Sequence, residues 1–334
     1  PAIGVLAAFC EMEEDGRVSI PGEFKTGVGV IGNYAYVSWG GNDYNQGLEV
    51  VDISDPANPT VVGHAETGAY WPTRVTVSEA DNLVFVSHQW DGVYVFDVSD
   101  PIHPVQLSNP RPHLDIDTGW AWRTTDAAYD GRYMYTAGVW FEIWDMLDPS
   151  NPVQVAEIPT GDAGSIANTE LIRLVGDFAY VSDLVGQIHV IDIADPAAPE
   201  IMTSMDWPGK MWSMQYSGDH LFAMDLEFGV RAVDVSNPLM PIRRDTIRTS
   251  GEPISSALDG NRLYVGANLT GVFGFDVSDP GDIVHTSLSV VDEGAGAGGI
   301  GIIEGDGPFG LAVSNGLIFA ATKPDLRILR DCEL

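Results

Sequence analysis

Hydrophobic and polar residues alternate along this chain in short runs, and turn residues separate the runs. In one stretch, runs rich in β-branched and aromatic residues occupy 73–77, 83–87 and 93–97, and a less regular run follows at 105–107. Short runs of this kind, bounded by turn residues, are typical of β-strands. Helical spacing with capping residues is not evident, so the pattern predicts an all-β chain.

An aspartate–proline motif follows the third run of each stretch. Its first copy reads VDISDPANP at residues 51–59, and the first aspartate recurs at Asp52, Asp97, Asp145, Asp192, Asp234 and Asp276. A period between 42 and 48 residues indicates a repeat architecture. A ring of paired aspartates could bind calcium. The motif is also what a tight turn requires, since Asp bonds its own backbone and Pro presets φ, and this structural interpretation is favoured.

The second run is present in seven copies, so we expect a seven-bladed β-propeller of four-stranded antiparallel blades. The last copy ends after its third strand, and the N-terminal run 3–7 is predicted to supply the missing outer strand and close the ring. The whole chain, 1–334, is then one domain with an N-terminal closing segment at 1–24 and a glycine-rich loop at 291–307. The seven repeats are expected at about 25–69, 70–118, 119–163, 164–208, 209–251, 252–290 and 308–334.

The repeated core resembles the LVIVD repeat, over about residues 25–334. This resemblance implies a propeller domain of the kind often found in secreted or cell-surface proteins of bacteria and archaea. It carries over no catalytic motif. The seventh copy departs from the pattern because Arg330 stands where the other copies have aspartate.

The net charge of −32 arises from 48 acidic and only 16 basic residues. Such a surface repels phosphate backbones and anionic lipids, so it argues against nucleic-acid and peripheral-membrane partners, and it favours solubility in a saline medium. No apolar stretch is long enough for a transmembrane helix. The chain begins at Pro1 rather than at a methionine, which is typical of a trimmed or processed chain. We therefore expect a secreted, extracellular or cell-surface protein, with the periplasm as a further setting.

The two cysteines, Cys10 and Cys332, lie near opposite ends of the chain. Since the ends of a propeller meet, a disulfide that closes the ring within one blade is our hypothesis, and two unrelated thiols are the alternative. A disulfide would indicate an oxidising compartment.

The loops between second and third strands, and those from each fourth strand to the next first strand, share one face, here called the top face. Eight of the nine tryptophans map to it. Exposed tryptophans near charged groups suit sugar stacking or cation–π binding, whereas the alternative is that they only fill loop bases. The predicted ligand-binding residues are Trp39, Arg74, His88, Trp90, Trp120, Trp122, Arg123, Trp140 and Trp212. Further polar residues of this face are Asp126, Glu170, Asp183, Lys210, Asp225 and Glu227.

Three functions follow from this face. The first is a recognition module for a glycan, a small molecule or a protein. The second is an extracellular hydrolase or lyase that uses His88, Asp183, Asp225 or Glu170 as acid or base. The third is a structural subunit of a cell-surface assembly. No cofactor is predicted, although His113, Asp115 and Asp117 are candidate ligands for calcium or another divalent metal.

Overall fold

The computed structural model describes residues 10–40, 46–68, 71–89, 91–111, 124–159, 169–207, 209–268, 270–290, 310–323 and 325–332. Within these ranges the regular elements are strands, and no helix is long and apolar enough to cross a membrane. The glycine-rich loop predicted at 291–307 lies outside the described residues.

Seven sheets contain all of the strands. Blade one comprises β3 (Phe24–Ile31), β4 (Tyr34–Gly40), β5 (Gln46–Asp52) and β6 (Thr60–Thr67), and blade two comprises β7 (Pro72–Ser78), β8 (Leu83–His88), β9 (Gly92–Asp97) and β10 (Val105–Ser108). Blade three comprises β11 (Thr124–Tyr129), β12 (Tyr133–Gly138), β13 (Phe141–Asp145) and β14 (Val153–Ile158). Blade four comprises β15 (Thr169–Val175), β16 (Phe178–Asp183), β17 (Gln187–Asp192) and β18 (Glu200–Asp206). The fifth and sixth comprise β19 (Met211–Ser217), β20 (His220–Asp225), β21 (Gly229–Asp234) and β22 (Ile242–Ile247); and β23 (Pro253–Asp259), β24 (Arg262–Ala267), β25 (Gly271–Asp276) and β26 (Val284–Val290). The seventh comprises β27 (Gly310–Ser314), β28 (Leu317–Ala321), β29 (Asp325–Arg330) and β2 (Glu13–Ser19), and the short strand β1 (Cys10–Glu11) joins the sixth.

The predicted seven-bladed propeller is therefore confirmed. Each blade is a four-stranded antiparallel sheet, and the first strands of neighbouring blades contact one another around a closed ring. The middle strands are apolar on both faces because each blade packs between two others. Val37 and Val51 of blade one, for example, share a buried cluster with Phe319 and Ile328 of blade seven. Full burial of one such side chain contributes about 1.5–3 kcal/mol, so packing between blades stabilises the ring.

The aspartate–proline motif closes the turn between the third and fourth strands. Asp52 Oδ1 accepts a hydrogen bond from the Ser54 amide at 2.9 Å, and Asp276 accepts the same bond from Ser278 at 2.9 Å. These bonds lower the pKa of both carboxyl groups from the usual value for aspartic acid. The repeated aspartate is thus occupied by its own turn, which supports the structural interpretation over the calcium one.

The ring closes at the N-terminal segment, but with a different strand from the one predicted. The outer strand of blade seven is β2, which pairs with β29, and the predicted donor 3–7 lies outside the described residues. The disulfide between Cys10 and Cys332 is confirmed, with Cα atoms 6.1 Å apart. It does not lie within one blade as expected: β1 runs parallel to β26 of blade six, so the bridge ties blade six to the end of blade seven. Because the outer strand of blade seven begins only at Glu13, the preceding described strand, β1, pairs with the neighbouring blade instead.

Candidate functional site

The second strands end at the top face with seven residues at equivalent positions. Trp39 is 4% exposed and His88 is fully buried, so neither offers a ring surface for a ligand to stack on. Asp183 and Asp225 are also buried. The full set at this position is Trp39, His88, Gly138, Asp183, Asp225, Ala267 and Thr322.

Asp183 and Asp225, proposed above as catalytic carboxylates, cap the turns that follow their strands. Asp183 Oδ1 accepts hydrogen bonds from the amides of Val185 and Gln187 at 3.1 and 2.8 Å. Asp225 Oδ1 accepts bonds from the amides of Glu227 and Phe228 at 2.9 and 3.1 Å. Because both groups are buried and hydrogen-bonded, their geometry is that of structural residues rather than of an acid or base open to a substrate.

The residue type at each strand end matches the residue type at a second position. This second position lies three residues before the aspartate at the end of the third strand. Trp39 donates from Nε1 to Glu49 at 3.2 Å. The rings of His88 and Tyr94 lie 4.8 Å apart. His189 Nε2 lies 3.0 Å from Asp183, and Arg231 lies 3.9 Å from Asp225. In these four blades the two positions pack as a matched pair, and this pairing accounts for much of the variation that the sequence presents as a possible binding site.

Several other predicted residues of the top face are either partly exposed or outside the described residues. Trp140, Trp212 and Glu170 are partly exposed. Trp90, Trp120, Trp122 and Arg123 lie outside the described residues, as do the metal candidates His113, Asp115 and Asp117. Among the described residues, the close grouping of three possible metal ligands is Cys10, Asp331 and Cys332, whose two sulfurs are joined in the disulfide.

The first strands of all seven blades line a central cavity of about 370 Å³. Charged and polar side chains from four neighbouring blades face it: Arg74, Asp126, Arg173 and Gln215, with Ser213, Ser255 and Ser256 beside them. A cavity with convergent polar groups is the usual setting of a small-molecule site. We call the cavity and these residues the channel site.

A β-bulge near the top of six inner strands shapes the entrance to the channel site. The register shifts by one residue at the same level in each of them, and the extra residue is Thr26, Thr73, Thr125, Glu170, Trp212 or Ile254. Bulges redirect side chains and are common next to active sites. Thr73 and Thr125 use the change to donate hydrogen bonds to the backbone carbonyls of the next inner strand, those of Thr124 and Thr169, at 3.4 and 3.1 Å. Some of the polar groups in the channel are therefore used in hydrogen bonds that join neighbouring blades.

The charged residues of the channel site form a separate cluster. Arg173 Nη1 lies 2.9 Å from Asp126 Oδ2, and Arg74 Nε lies 3.9 Å from Asp126 Oδ1. Asp126 is buried, and its Oδ2 also accepts a bond from the Ile172 amide at 3.2 Å. Burial lowers the pKa of Arg74, while the negative charges of Asp126 and Glu170 oppose that shift. One buried carboxylate thus stands between two guanidinium groups.

The two arginines have more hydrogen-bond donors than the surrounding protein satisfies. A guanidinium group carries five N–H donors. Arg74 donates to the Trp212 carbonyl, and Arg173 donates to Asp126 and to the Ile172 carbonyl. Most of their N–H groups find no acceptor among the described residues, and both side chains remain about one-quarter exposed, at 22% and 24%.

Trp212 and Lys210 stand at the start of the fifth inner strand, next to Arg74. Lys210 is exposed, and its Nζ lies 4.8 Å from the centre of the Trp212 ring. Sequence reasoning identifies Arg74, Asp126 and Trp212 but misses Arg173. The signal for Arg173 is a charge within the otherwise apolar run of residues 171–174, since a strand that lines a channel alternates between core and cavity.

The LVIVD repeat matches this chain in three places, at residues 26–67, 73–109 and 161–206. The chain therefore contains LVIVD repeats, and its seven-bladed form is consistent with the LVIVD propeller family. No curated protein matches the chain.

Proposed function

We propose that this LVIVD propeller is a recognition module that binds a small molecule carrying an oxyanion group, with the oxyanion held by Arg74 and Arg173 in the channel site. The observation that carries the proposal is the surplus of N–H donors that these two side chains direct at one cavity. Guanidinium groups bind carboxylates and phosphates through paired, charge-assisted hydrogen bonds.

The charge distribution of the chain supports this proposal. Only 16 basic residues are present against 48 acidic ones, yet Arg74 and Arg173 both face the channel and Lys210 stands beside them, against the nearby carboxylates of Asp126 and Glu170. Exposed acidic groups further than about 8 Å away are largely screened at physiological ionic strength, so these local charges govern what enters. Neighbouring Trp212, with Lys210 against its ring, offers an aromatic surface for the rest of the ligand.

The proposal is tested by calorimetric titration of small organic carboxylates and phosphates, with neutral sugars in parallel. We expect an anionic compound to bind, and Arg74→Gln or Arg173→Gln to weaken it about 10- to 100-fold, because a hydrogen bond to a charged group contributes about 1.5–3 kcal/mol. Arg132→Gln is the matched control, since Arg132 is exposed and pairs with Asp145 away from the cavity.

Two outcomes would overturn it. If neutral sugars bind and the two arginine variants leave their affinity unchanged, the partly exposed tryptophans of the top face serve glycan recognition instead. If nothing binds and the protein forms a stable oligomer with a large interface, the propeller is an assembly subunit.

The same proposal places the module outside the cytoplasm. The Cys10–Cys332 disulfide supports an oxidising compartment, and proteins with this repeat are often secreted or on the cell surface. Recovery of the protein only from the cytoplasmic fraction of its native cells, with both thiols reduced, would contradict this location.

A further inference from the structure

A hydrogen-bonded chain of serine, histidine and aspartate crosses blade four, away from the inner strands that line the channel site. Ser204 Oγ lies 2.8 Å from His189 Nδ1, and His189 Nε2 lies 3.0 Å from Asp183 Oδ2. His189 on β17 and Ser204 on β18 are directly paired across the two strands, and Asp183 ends β16. Three adjacent strands of one sheet therefore hold the three groups in a line.

The exposure of the three hydrogen-bonded side chains increases from the interior of the blade to its surface. The side chains of Asp183 and His189 are 1% and 4% exposed, whereas Ser204 lies exposed on the outermost strand. The Asp183 carboxylate also accepts two backbone amides, so it has little freedom to move. A fixed carboxylate at Nε2 keeps the proton on that nitrogen, which leaves Nδ1 as an acceptor for the Ser204 hydroxyl. This is the arrangement in which a histidine acts as general base toward a serine.

We propose that Ser204 is an activated nucleophile that takes acyl groups from activated carboxylic esters, with His189 as general base and Asp183 as a positioning residue. Ser204 Oγ forms a bond to the carbonyl carbon of the ester while its proton passes to His189 Nδ1. The ester C–O bond then breaks, and the leaving alcohol or phenol takes the proton from His189. Water attacks the acyl-serine in the same way, which releases the carboxylic acid and restores the hydroxyl.

The position of Ser204 defines the substrate class. An outer strand presents unpaired backbone N–H groups to solvent, which are the donors available to an oxyanion. The cavity described above lies at the inner strands, so it does not enclose a substrate at Ser204. The site therefore selects little by shape and accepts esters with good leaving groups. This inference is independent of ligand binding in the channel.

Comparison with two other blades distinguishes the hydrogen bonds of Asp183, His189 and Ser204 from ordinary side-chain packing. The equivalent cross-strand pair is Glu49–His64 in blade one and Phe273–Leu288 in blade six. In blade one a carboxylate also meets a histidine, at 2.7 Å, but no serine follows in that network. Blade four alone among these three pairs places a hydroxyl on the outer strand next to a histidine that a carboxylate orients.

The test uses an alkyl fluorophosphonate probe followed by peptide mapping, and p-nitrophenyl acetate turnover. In the labelling reaction, Ser204 Oγ bonds to phosphorus, fluoride leaves and His189 takes the proton. We expect the label on Ser204 and not on Ser99, an exposed serine of an aspartate–proline turn with no histidine partner. Ser204→Ala, a surface change that leaves the fold intact, should abolish labelling and acetate release.

His189→Gln should slow labelling about 100-fold or more, the usual contribution of a general base. Asp183→Asn should slow it as well, because an amide N–H pointing at Nε2 moves the imidazole proton to Nδ1. The wild-type labelling rate should rise with pH to a plateau, and this plateau should be absent in Asp183→Asn. If Ser204 labels no faster than Ser99, or if the Asp183→Asn rate and pH profile match those of the wild type, the chain of hydrogen bonds is structural and the proposal is wrong.

Discussion

The buried carboxylates of the second-strand ends and the charged side chains of the channel differ in how fully the fold uses their hydrogen-bonding capacity. Asp225 accepts two backbone amides on one oxygen and the Trp207 indole N–H, at 2.8 Å, on the other. Arg74 and Arg173, by contrast, leave most of their donors without acceptors in the described part of the chain. Both regions are polar, but only the second has capacity left for a ligand.

The contrast indicates how polar groups in a repeat fold should be interpreted. A buried group whose hydrogen bonds are all made within the protein stabilises the fold, since leaving any of its partners unpaired would cost free energy. A charged group on a cavity with unused donors gains little from the fold and more from a ligand. Exposure, not residue type, separates the two regions: Asp225 is fully buried, and Arg74 is 22% exposed.

Asp225→Ala should give the largest loss of stability. Removing the carboxylate leaves the indole N–H and two amides without their acceptor and leaves Arg231 without its buried counter-ion. We expect the free energy of unfolding, measured by urea denaturation, to fall by about 3–5 kcal/mol.

Asp206→Ala is the matched control for that experiment. Asp206 is an exposed carboxylate at the end of the neighbouring outer strand and accepts one bond, from Gln187 at 3.2 Å. Its loss should change stability by no more than about 0.5 kcal/mol. Equal effects of the two variants would contradict the structural role assigned to the buried strand-end carboxylates.

The architecture was predictable from the sequence because the aspartate of each turn recurs at a nearly constant spacing and the strands between are strongly apolar. The site was predictable only in part. Arg74 and Trp212 follow from loop position, but the direction of a strand-end side chain depends on its partner in the third strand. His88 turns into its blade because Tyr94 packs beside it, and Asp183 does so because His189 bonds to it. Such pairing becomes evident only when the register between the second and third strands is known.

Lys25 is a buried charge at the joint between blades seven and one, with fewer partners than Asp225. Its side chain is fully buried, and Nζ donates to the Gly22 carbonyl at 2.8 Å. Burial lowers its pKa from 10.5 to about 8, although Asp325 opposes the shift. Asp325 in turn accepts a bond from Ser19 of the closing strand at 2.8 Å. The ammonium group is therefore held at a cost to the folded state.

Lys25→Met should raise the free energy of unfolding at pH 7 by about 2 kcal/mol, since a lowered pKa means that the folded state carries the proton at a penalty. Between pH 8 and about 10.5 the unfolded chain binds more protons at this position than the folded chain, so wild-type stability rises with pH across that window. The advantage of the variant should shrink over the same range and vanish above it. Urea titrations of both proteins from pH 6 to 11 measure this difference, with exposed Lys210→Met as the control. A constant difference at all pH values would mean that the charge of Lys25 is not what the variant relieves.

Arg74→Gln should give the smallest change in stability. Its ion pair with Asp126 is long, at 3.9 Å, and the side chain is partly solvated, so the pair contributes no more than about 1 kcal/mol. Glutamine retains an N–H donor for the Trp212 carbonyl, and Asp126 retains Arg173 as its counter-ion at 2.9 Å. Unfolding in urea should therefore be nearly that of the wild type, although oxyanion binding is weakened. If Arg74→Gln instead destabilises the protein as much as Asp225→Ala, the channel charges belong to the fold in the same way as the strand-end carboxylates, and the distinction between the two regions fails.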